Sequence, residues 1–394
     1  MMGALSGYRI LDLSRVLAGP WASQVFADLG AEVIKIERPG KGDDTRSWGP
    51  PFVEENGLSA YFCATNRGKK SVTVDMAKPE GQALIKRLAE KSDVVLENFK
   101  FGGLAKLGLG PEDLLKLNPR LVYCSITGFG QTGPYRARAG YDFLMQGMGG
   151  LMSVTGAPDG EPMKAGVAVV DVFTGLYASN AVMAALLERE RSGQGQHIDL
   201  ALFDVQIAAM ANQISSYLVS GQQPPRLGNA HPSIVPYQVF ATSDGYLILA
   251  IGNDDQFARF VTLAGAPELA RDERFATNPA RVKHRATLVP LLETLLAART
   301  TKDWTETLEA FGIPGGPINE FADIDADPHV RARGIFKELA PGLRGVASPM
   351  RFSRSKVRDN RPPPLLGADT TEVLSDILEL SDEDLTRLQR DKII

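Results

Sequence analysis

Cysteine and histidine are scarce in this chain of 394 residues, which contains two cysteines and four histidines. Cys63 and Cys124 stand alone, with no C-x-x-C pair, so the sequence argues against a disulfide scaffold and a zinc site and fits a reducing compartment. The histidines are not grouped with other metal-ligating residues either. We therefore expect no metal, and we expect any chemistry to use a carboxylate and an organic cofactor.

Long apolar runs and a strong excess of charge are also absent. No uncharged apolar segment reaches the roughly 18 residues typical of a membrane-spanning helix, and the N-terminus lacks the pattern of a signal peptide or an Arg- and Ser-rich presequence. A net charge of −4 gives no general attraction to nucleic acid or to an anionic membrane. We therefore expect a soluble, cytoplasmic protein with neither of those partners.

Strands and helices alternate along the first part of the chain. Strands are predicted at residues 8–13, 31–37, 93–97 and 120–126, and helices begin near Gly19 and at Pro79. Such alternation is typical of a parallel sheet covered by helices on both faces. The sequence thus predicts an α/β fold with a Rossmann-like large domain.

The length of the chain favours roughly two domains. Long helices are predicted around 175–190 and 200–219, and the polar, proline-containing stretch at 221–225 indicates a linker. The turn signal Asp244-Gly245 between apolar runs predicts a hairpin near the start of a smaller α+β region. We predict a large α/β domain at 1–220, a small α+β domain at 226–330 and a C-terminal segment at 331–394. That segment ends in two helices, with capping boxes expected at Asp369 and Ser381.

Asp171 is the most informative single residue. It lies between the largely apolar stretches 165–170 and 172–177. A carboxylate surrounded by hydrocarbon is poorly solvated, and enzymes use such groups as nucleophiles or bases. Aspartate is also a favoured helix N-cap, and a helix is predicted to follow. The local sequence alone leaves these two interpretations balanced.

Basic residues accompany the predicted strand ends. Open parallel sheets bind ligands at the carboxyl ends of their strands, which here carry Leu17-Ala18, Arg38, Asn98-Phe99 and Thr127-Gly128. Six cations lie nearby in the sequence: Arg67, Lys69, Lys70, Lys100, Lys106 and Arg138. Their coincidence with strand ends favours a phosphate-rich, nucleotide-like ligand over scattered surface charges.

Two other motifs are weighed and set aside. Residues 128–133 match G-x-G-x-x-G, but Pro134-Tyr135-Arg136 follows instead of a patterned helix, so we interpret them as a glycine-rich loop and not as an NAD site. No G-x-S-x-G motif occurs. His197 could act as a general base, but a packed or surface histidine is the favoured interpretation.

Several stretches carry a family resemblance. They are 15–20 (RVLAGP), 30–40 (GAEVIKIERPG), 66–71 (NRGKKS), 97–99 (ENF), 125–130 (SITGFG) and 364–367 (PLLG). Over nearly its full length the chain resembles the class III coenzyme A transferases, the formyl-CoA transferase and carnitine CoA-transferase family. The stretches 48–52 (WGPPF), 228–231 (GNAH) and 233–238 (SIVPYQ) resemble the succinate–hydroxymethylglutarate (glutarate) branch, which moves CoA between succinyl-CoA and dicarboxylates.

The resemblance implies that Asp171 is the nucleophile. Its carboxylate would attack the acyl-CoA thioester and form a mixed anhydride, and the CoA thiolate would then return to give an aspartyl-CoA thioester for the acceptor acid. It also implies an interlocked-ring homodimer, with the C-terminal segment returning to the large domain. The residues implied to contact CoA are Leu17, Ala18, Arg38, Val74, Asn98, Phe99, Lys100, Lys106, Arg138 and Tyr141.

A second implied set lies on the side of the acceptor or in a lid over the site. It comprises Trp48, Tyr61, Gly228, Asn229, Ala230, His231 and Ser233. Formyl-CoA transferases have a run of glycines where this chain has residues 228–233, which argues against formyl-CoA or oxalate as a substrate. His231 and Ser233 are candidates for holding a distal carboxylate, and a purely structural turn is the alternative.

Two rival functions remain. The α-methylacyl-CoA racemases share the fold but usually place a histidine in Ala-Gly-His-Asp, where this chain has Tyr141 in 139–142. Tyrosine is a poor base near neutral pH, which disfavours the racemase. A CoA-binding protein without catalysis is the other alternative, against which the presence of Asp171 argues.

Overall fold

The computed structural model describes residues 2–394, which divide into two compact units. The first contains the chain up to Leu151, Lys164–Gly221 and His329–Ile394. The second contains Met152–Met163 and Gln222–Pro328. In sequence, the second unit is therefore inserted into the first, and it includes a stretch before Asp171 that the residue pattern does not reveal.

A six-stranded parallel sheet forms the centre of the first unit, with the spatial order β3-β2-β1-β4-β5-β6. Its strands are β1 Arg9–Asp12, β2 Glu32–Glu37, β3 Lys70–Thr73, β4 Val94–Glu97, β5 Val122–Thr127 and β6 His197–Ala201. The chain reverses its direction of travel across the sheet between β1 and β4, which is where open α/β sheets form a ligand crevice. The predicted α/β class is confirmed.

Seventeen helices are found in the described residues 2–394. In chain order they are α1 Ala18–Asp28, α2 Ala60–Cys63, α3 Pro79–Glu90, α4 Pro111–Leu117, α5 Asp142–Met148, α6 Leu151–Val154, α7 Val169–Ser192, α8 Leu202–Ala209, α9 Ala211–Ser220, α10 Asp254–Leu263, α11 Asn278–Lys283, α12 Arg285–Leu296, α13 Thr301–Ala310, α14 Phe321–Ala326, α15 Pro328–Ala332, α16 Thr370–Leu378 and α17 Asp382–Arg390. Short 3₁₀ turns occur at Asp44–Ser47, Ala105–Leu107 and Pro267–Ala270.

Alternation along the strands divides the core between the two faces of the parallel sheet. On one face Leu11, Val95 and Tyr123 pack with α3 and with the C-terminal helices α16 and α17. On the other face Ile10 and Val94 pack with α1 and α7. Because successive side chains of a strand point to opposite faces, short apolar strands supply both cores at once.

The second unit has its own antiparallel sheet of β7 Tyr237–Ala241, β8 Tyr246–Ala250 and β9 Gly315–Pro317. Helices α10, α12 and α13 surround a core that includes Phe257, Leu292 and Trp304. The predicted hairpin is confirmed, because β7 pairs with β8 and the Thr242 amide donates to the carbonyl of Gly245 across the turn. A further hairpin, β10 Phe336–Ala340 with β11 Leu343–Val346, belongs to the first unit.

Two local predictions are wrong. The segment 200–219 is not one helix, because β6 continues to Ala201 and the chain then breaks between α8 and α9 at Ala211, where φ is 41°. Asp369 makes no side-chain cap on α16 and instead accepts the Ser71 amide at 2.7 Å. The capping box at Ser381 is present. At Asp369 a tertiary partner outcompeted the local pattern.

Helix α7 is the one helix of residues 2–394 that is long and apolar enough to cross a membrane by length and composition. This is weak support for a membrane span, because the core helices of soluble proteins satisfy the same criterion and 44% of the relevant window is buried inside the protein. The helix packs against α1 and the parallel sheet, with Ala178 and Val182 fully buried. Its position is thus that of a core helix.

Candidate functional site

Asp171 lies in the first turn of α7 but does not cap it. The N-cap position is Ala168, which has no side-chain cap. The exposed amides at this end are taken by Asp142, whose Oδ1 accepts from Val170 at 2.8 Å and from Asp171 at 3.3 Å. The interpretation of Asp171 as the helix N-cap is therefore wrong, and its own carboxylate is left available in a cavity.

The surroundings of Asp171 disfavour its charged form. Burial, and then repulsion from the Asp142 carboxylate, raise the pKa of Asp171 to about 7. Burial together with the carboxylates of Asp171 and Asp142 also raises the pKa of Tyr61. Tyr61 packs edge-on against Trp48, with 5.1 Å between the ring centroids. The structure thus brings the pair Trp48 and Tyr61 into the electrostatic field of Asp171.

The close approach of α1 and α7 fixes the position of Asp171. Gly175, one turn after Asp171, lies so near α1 that a Cβ there would stand 2.7 Å from the carbonyl oxygen of Ala18 and 2.9 Å from the Trp21 ring. Only glycine allows this contact. Ala18 and Asp171 consequently line the same cavity.

This cavity, of about 170 Å³, lies at the carboxyl ends of β1, β4 and β5. Seven of the ten residues expected to contact CoA line it together with Asp171: Leu17, Ala18, Asn98, Phe99, Lys100, Arg138 and Tyr141. Arg15, Val16, Asp44, Phe101 and Arg136 also line it and were not predicted as site residues. The RVLAGP stretch was the sequence signal that could have identified Arg15 and Val16.

A second cavity, of about 410 Å³, extends the first along the sheet edge. Arg38 and Val74 line it, and it shares Arg15, Asp44 and Phe99 with the Asp171 cavity. The two cavities therefore adjoin at these three residues, and we refer to the pair, which runs from Asp171 past β1 to the ends of β2 and β3, as the groove. Lys106 lines neither cavity, although its neighbour Leu107 lines the second.

Three of the cations expected near phosphate are engaged elsewhere. Arg67 pairs with Asp28, at 2.9 Å from Nε to Oδ1. Lys69 is buried and donates to Asn66 and to the Pro20 carbonyl, while Lys70 pairs with Glu32 and Glu372. The structure does not support a phosphate-binding role for these three, whereas Lys100 and Arg138 do line the groove.

The glycine-rich loop after β5 is a close backbone crossing. A Cβ on Gly128 would stand 2.8 Å from the Cα of Gly140, so the two backbone segments can approach only because both residues are glycine. No helix begins until α5 at Asp142. The interpretation as a loop is confirmed, and the crossing brings Arg138 and Tyr141 to the cavity.

The contacts of His197 and His231 show which of their predicted roles the structure supports. The Nε2 atom of His197 lies 3.0 Å from the Ser125 hydroxyl and its ring packs on buried Tyr123, which confirms a packed histidine. In the second unit, the Ser233 amide donates to Nδ1 of His231 at 3.1 Å. Arg285 donates to the carbonyls of His231 and Pro232. These contacts support the structural-turn interpretation of this loop.

Comparison with known proteins agrees with this geometry. A family model described as CoA-transferase family III matches residues 5–370. A succinate–glutarate CoA-transferase of Agrobacterium fabrum is 54% identical over 381 residues, covering 95% of this chain and 95% of the relative. A succinyl-CoA:glutarate CoA-transferase of Mus musculus is 46% identical over 391 residues, covering 98% and 89% of the two chains. The crystal structure of a CAIB/BAIF family protein from Brucella suis superposes with a TM-score of 0.87 at 51% identity, covering 96% of this chain and all of that one.

The raised pKa of Asp171 makes a prediction about stability. The pKa in the folded protein, about 7, lies above the unfolded value of about 3.9, so folding favours the protonated acid. Burial of this carboxylate therefore does not reduce the free energy of unfolding below about pH 4 and reduces it by the full amount above about pH 7. That reduction is at most about 4 kcal/mol, and it is smaller here because the side chain is partly exposed. We expect Asp171→Asn to be more stable than wild type at pH 8 and to lose that advantage at pH 4.

Urea unfolding of both proteins at the two pH values measures this difference. Asp159→Asn, at an exposed carboxylate, is the matched control and should show no such pH-dependent gain. An equal offset between Asp171→Asn and wild type at pH 4 and pH 8 would contradict the raised pKa.

Proposed function

Because the chain belongs to CoA-transferase family III, we propose that it transfers CoA from succinyl-CoA to a dicarboxylic acid of the glutarate kind, with Asp171 as nucleophile. Membership of this family makes the protein a CoA-transferase with CoA as its co-substrate. The choice of acids is supported by the similarity to relatives named for succinate and glutarate. The observation that carries the proposal is a carboxylate with a pKa raised to about 7, placed in a groove at the carboxyl edge of a parallel sheet.

The reaction requires neither an oxidant nor a net proton. An oxygen of Asp171 attacks the thioester carbon, the C–S bond breaks, and its electron pair leaves on the CoA thiolate, which gives an acyl–aspartyl anhydride. The thiolate then attacks the aspartyl carbonyl, releases succinate and forms an aspartyl-CoA thioester. The acceptor carboxylate attacks the carbonyl carbon of this thioester, the C–S bond breaks, and CoA leaves as thiolate, which gives a second mixed anhydride. The thiolate then attacks the acceptor's carbonyl carbon, forms the new acyl-CoA and releases the Asp171 carboxylate.

The two cavities of the groove can bind different parts of a CoA thioester. The wider cavity, with Arg38 and Val74, suits the nucleotide because a guanidinium can bind phosphate oxygens. The narrower cavity suits the pantetheine arm and the thioester, which then reaches Asp171. Lys100 and Arg138 line the narrower cavity and can bind phosphate or carboxylate oxygens.

Burial serves both the reactivity and the protection of the intermediates. A poorly solvated carboxylate is a better nucleophile than a hydrated one, and the raised pKa of Asp171 reports that poor solvation. An anhydride exposed to water would hydrolyse, so the acyl group must be covered during transfer. Trp48 and Tyr61 are suited to this role because they offer aromatic surface close to Asp171.

The structure gives little support to the racemase alternative. A racemase needs a second proton-transferring group opposite its carboxylate. Tyr141 occupies the corresponding motif position, is 72% exposed and precedes α5 as its N-cap. His197 is paired with Ser125 instead. Close relatives of this chain are named as transferases, and the transferase is the better supported function.

We also propose that the protein is an interlocked homodimer. Helix α7 exposes Tyr177 at 50% and Leu187 at 70%, and α9 exposes Leu218 at 74% and Val219 at 90%. Each of the two helices thus exposes more than one large apolar side chain, which suits a surface that another protein covers. A second copy of the chain is the simplest cover, since most oligomers of soluble proteins are homo-oligomers.

Transfer itself is the first test. We expect CoA to move from succinyl-CoA to glutarate or hydroxymethylglutarate, and activity to disappear in Asp171→Ala and Asp171→Asn, because no other group would attack the thioester. Hydroxylamine should trap the intermediate as a hydroxamate on the peptide that contains Asp171, detected by mass spectrometry. Asp159→Asn, which keeps the nucleophile, is the control. A hydroxamate found on a peptide that does not contain Asp171 would overturn the proposal, and so would epimerisation of an α-methylacyl-CoA without transfer.

The pH dependence tests the electrostatic part. Because Asp171 must be ionised to attack, kcat/KM should rise with pH up to about 7 and then level off, falling about tenfold per pH unit well below that value. Asp142→Asn removes the repelling charge while keeping an oxygen for the α7 amides, so this limb should move to lower pH. Burial remains in the variant, so the pKa should stay above that of a free aspartate. A limb unmoved by Asp142→Asn would remove Asp142 from the explanation.

The dimer can be tested by sedimentation. We expect the wild type to sediment as a dimer, and Leu218→Asp with Val219→Asp to weaken or abolish it, because two charges would be buried at the contact. Leu117→Asp introduces a charge on α4, where the side chain is 43% exposed, and should leave the dimer intact. A wild-type protein that sediments as a monomer over the whole concentration range would contradict this part of the proposal.

A further inference from the structure

Val16 has a backbone conformation that its side chain disfavours. Its φ is 70°, in the left-handed region, and it is the only β-branched residue of positive φ among residues 2–394. For such a residue this region is costly and persists only where surrounding contacts impose it. Val16 belongs to residues 14–18, which lead from β1 into the first residue of α1, and all of them except Ser14 line the cavity of Asp171. Hydrogen bonds from neighbouring residues must therefore hold the backbone of Val16 in this conformation.

The anchor on one side is Asp43. The Val16 amide donates to its carboxylate, at 3.2 Å from Oδ2 and 3.3 Å from Oδ1. Lys35 donates both to Oδ2 of Asp43 and to the Ser14 carbonyl, each at 2.9 Å. The buried pair Lys35–Asp43 therefore holds the backbone on both sides of Arg15.

The anchor on the other side is Asn98. Its Oδ1 accepts the Arg15 amide at 2.8 Å, and its Nδ2 donates to the Arg15 carbonyl at 2.6 Å. The side-chain amide of Asn98, expected from the sequence to contact CoA, is thus engaged with the backbone of residues 14–18. Arg15 adds a stacking contact, with its guanidinium carbon 5.0 Å from the centroid of the Phe99 ring.

Asp43 borders the second cavity but has no free oxygen to offer a ligand. Its side chain and that of Lys35 are both 0% exposed. It also accepts the Thr45 amide at 3.0 Å and the Thr45 hydroxyl at 2.8 Å, so its oxygens are fully engaged inside the protein. Burial alone would raise the pKa of Asp43, but Lys35 and Thr45 outweigh it and hold the pKa at about 2. Asp43 is therefore ionised at every pH at which the protein would work.

We propose that Asp43 is a positioning residue for the transfer reaction, holding Val16 in its left-handed conformation so that Leu17 and Ala18 form the wall of the cavity beside Asp171. The inference rests on the proposed function, because it assigns the role to the same site. Ala18 is the residue that Gly175 of α7 contacts. A change in the backbone conformation of residues 14–18 would therefore move the wall against which the acyl group must lie.

The competing explanation is that Asp43 only stabilises the fold. Breaking any buried ion pair destabilises a protein, because it leaves the partner charge unpaired. The two explanations differ in one respect: a glycine at position 16 adopts a φ of 70° without an anchor. If Asp43 acts through the conformation of Val16, glycine at that position should make Asp43 dispensable for the reaction, though not for stability.

The experiment is a double-mutant cycle with wild type, Asp43→Asn, Val16→Gly and the double variant. We expect Asp43→Asn to lower kcat about tenfold, with KM for succinyl-CoA changed less than about threefold, because the strained segment lies at the Asp171 end of the groove. In the Val16→Gly background the same change should lower kcat less than about threefold. Asn98→Ala, which cuts the second anchor with less risk to folding, should show the same dependence on residue 16.

A buried ion pair elsewhere provides the control. Asp28→Asn breaks the pair with Arg67 and should lower the melting temperature, while any loss of kcat should be the same in the wild-type background as in the Val16→Gly background. Equal losses of kcat for Asp43→Asn in the two backgrounds would show that Asp43 is merely structural and would overturn the proposal.

Hydrogen exchange separates this inference from the proposed function. Amides of residues 14–18 should exchange faster in Asp43→Asn and in Asn98→Ala than in wild type, and this measurement needs no turnover. A wild type without transfer activity would defeat the proposed function and leave the exchange result to decide whether Asp43 holds the segment. Unchanged exchange in both variants would overturn the inference on its own.

Discussion

A largely buried carboxylate, whose surroundings raise its pKa, is the constraint on which the site depends. Both influences on Asp171, its burial and the neighbouring Asp142, raise its pKa. A helix N-terminus would ordinarily favour the ionised form. Here Asp142 accepts the amides of Val170 and Asp171, so the favourable end of α7 is used by the neighbouring carboxylate. Two carboxylates thus divide two roles, one closing the helix and the other remaining reactive.

Other buried charges at this edge of the sheet are, in contrast, paired with a charge of opposite sign. Lys35 with Asp43, Lys69 with Asp12 and Arg46 with Glu37 are paired beneath the strand ends. Such pairs add little net stability, because desolvation offsets much of their attraction. Burial is costly enough to lower the pKa of Lys69 to about 7 despite Asp12. These ion pairs are therefore better explained by their effect on geometry, since several of them hold in place the loops that line the groove.

Much of the fold could be predicted because its signals are local. Apolar runs and helix-starting prolines identified four strands and the helices that begin near Gly19 and at Pro79, and apolar flanks marked Asp171 as a candidate. The short helices α2 and α4 were not predicted. The strands β3 and β6 were missed because β3 begins with lysine and serine and β6 carries His197 and Asp199, so neither shows a continuous apolar run. The ion pairs of Arg67 and Lys70 join residues far apart in the chain, and no spacing rule predicts them. The role of Asp142 as acceptor for the first amides of α7 could not be predicted from the sequence for the same reason.

The apolar surface of α7 joins the site to the proposed assembly. One side of this helix packs under α1, where Gly175 permits contact with Ala18, and the same helix carries Asp171 in its first turn. Its other side exposes Tyr177 and Leu187. A second copy covering that side would restrain α7 from outside while α1 restrains it from inside. Because the reaction needs the nucleophile held against the acyl group, association and catalysis would then depend on the placement of a single helix.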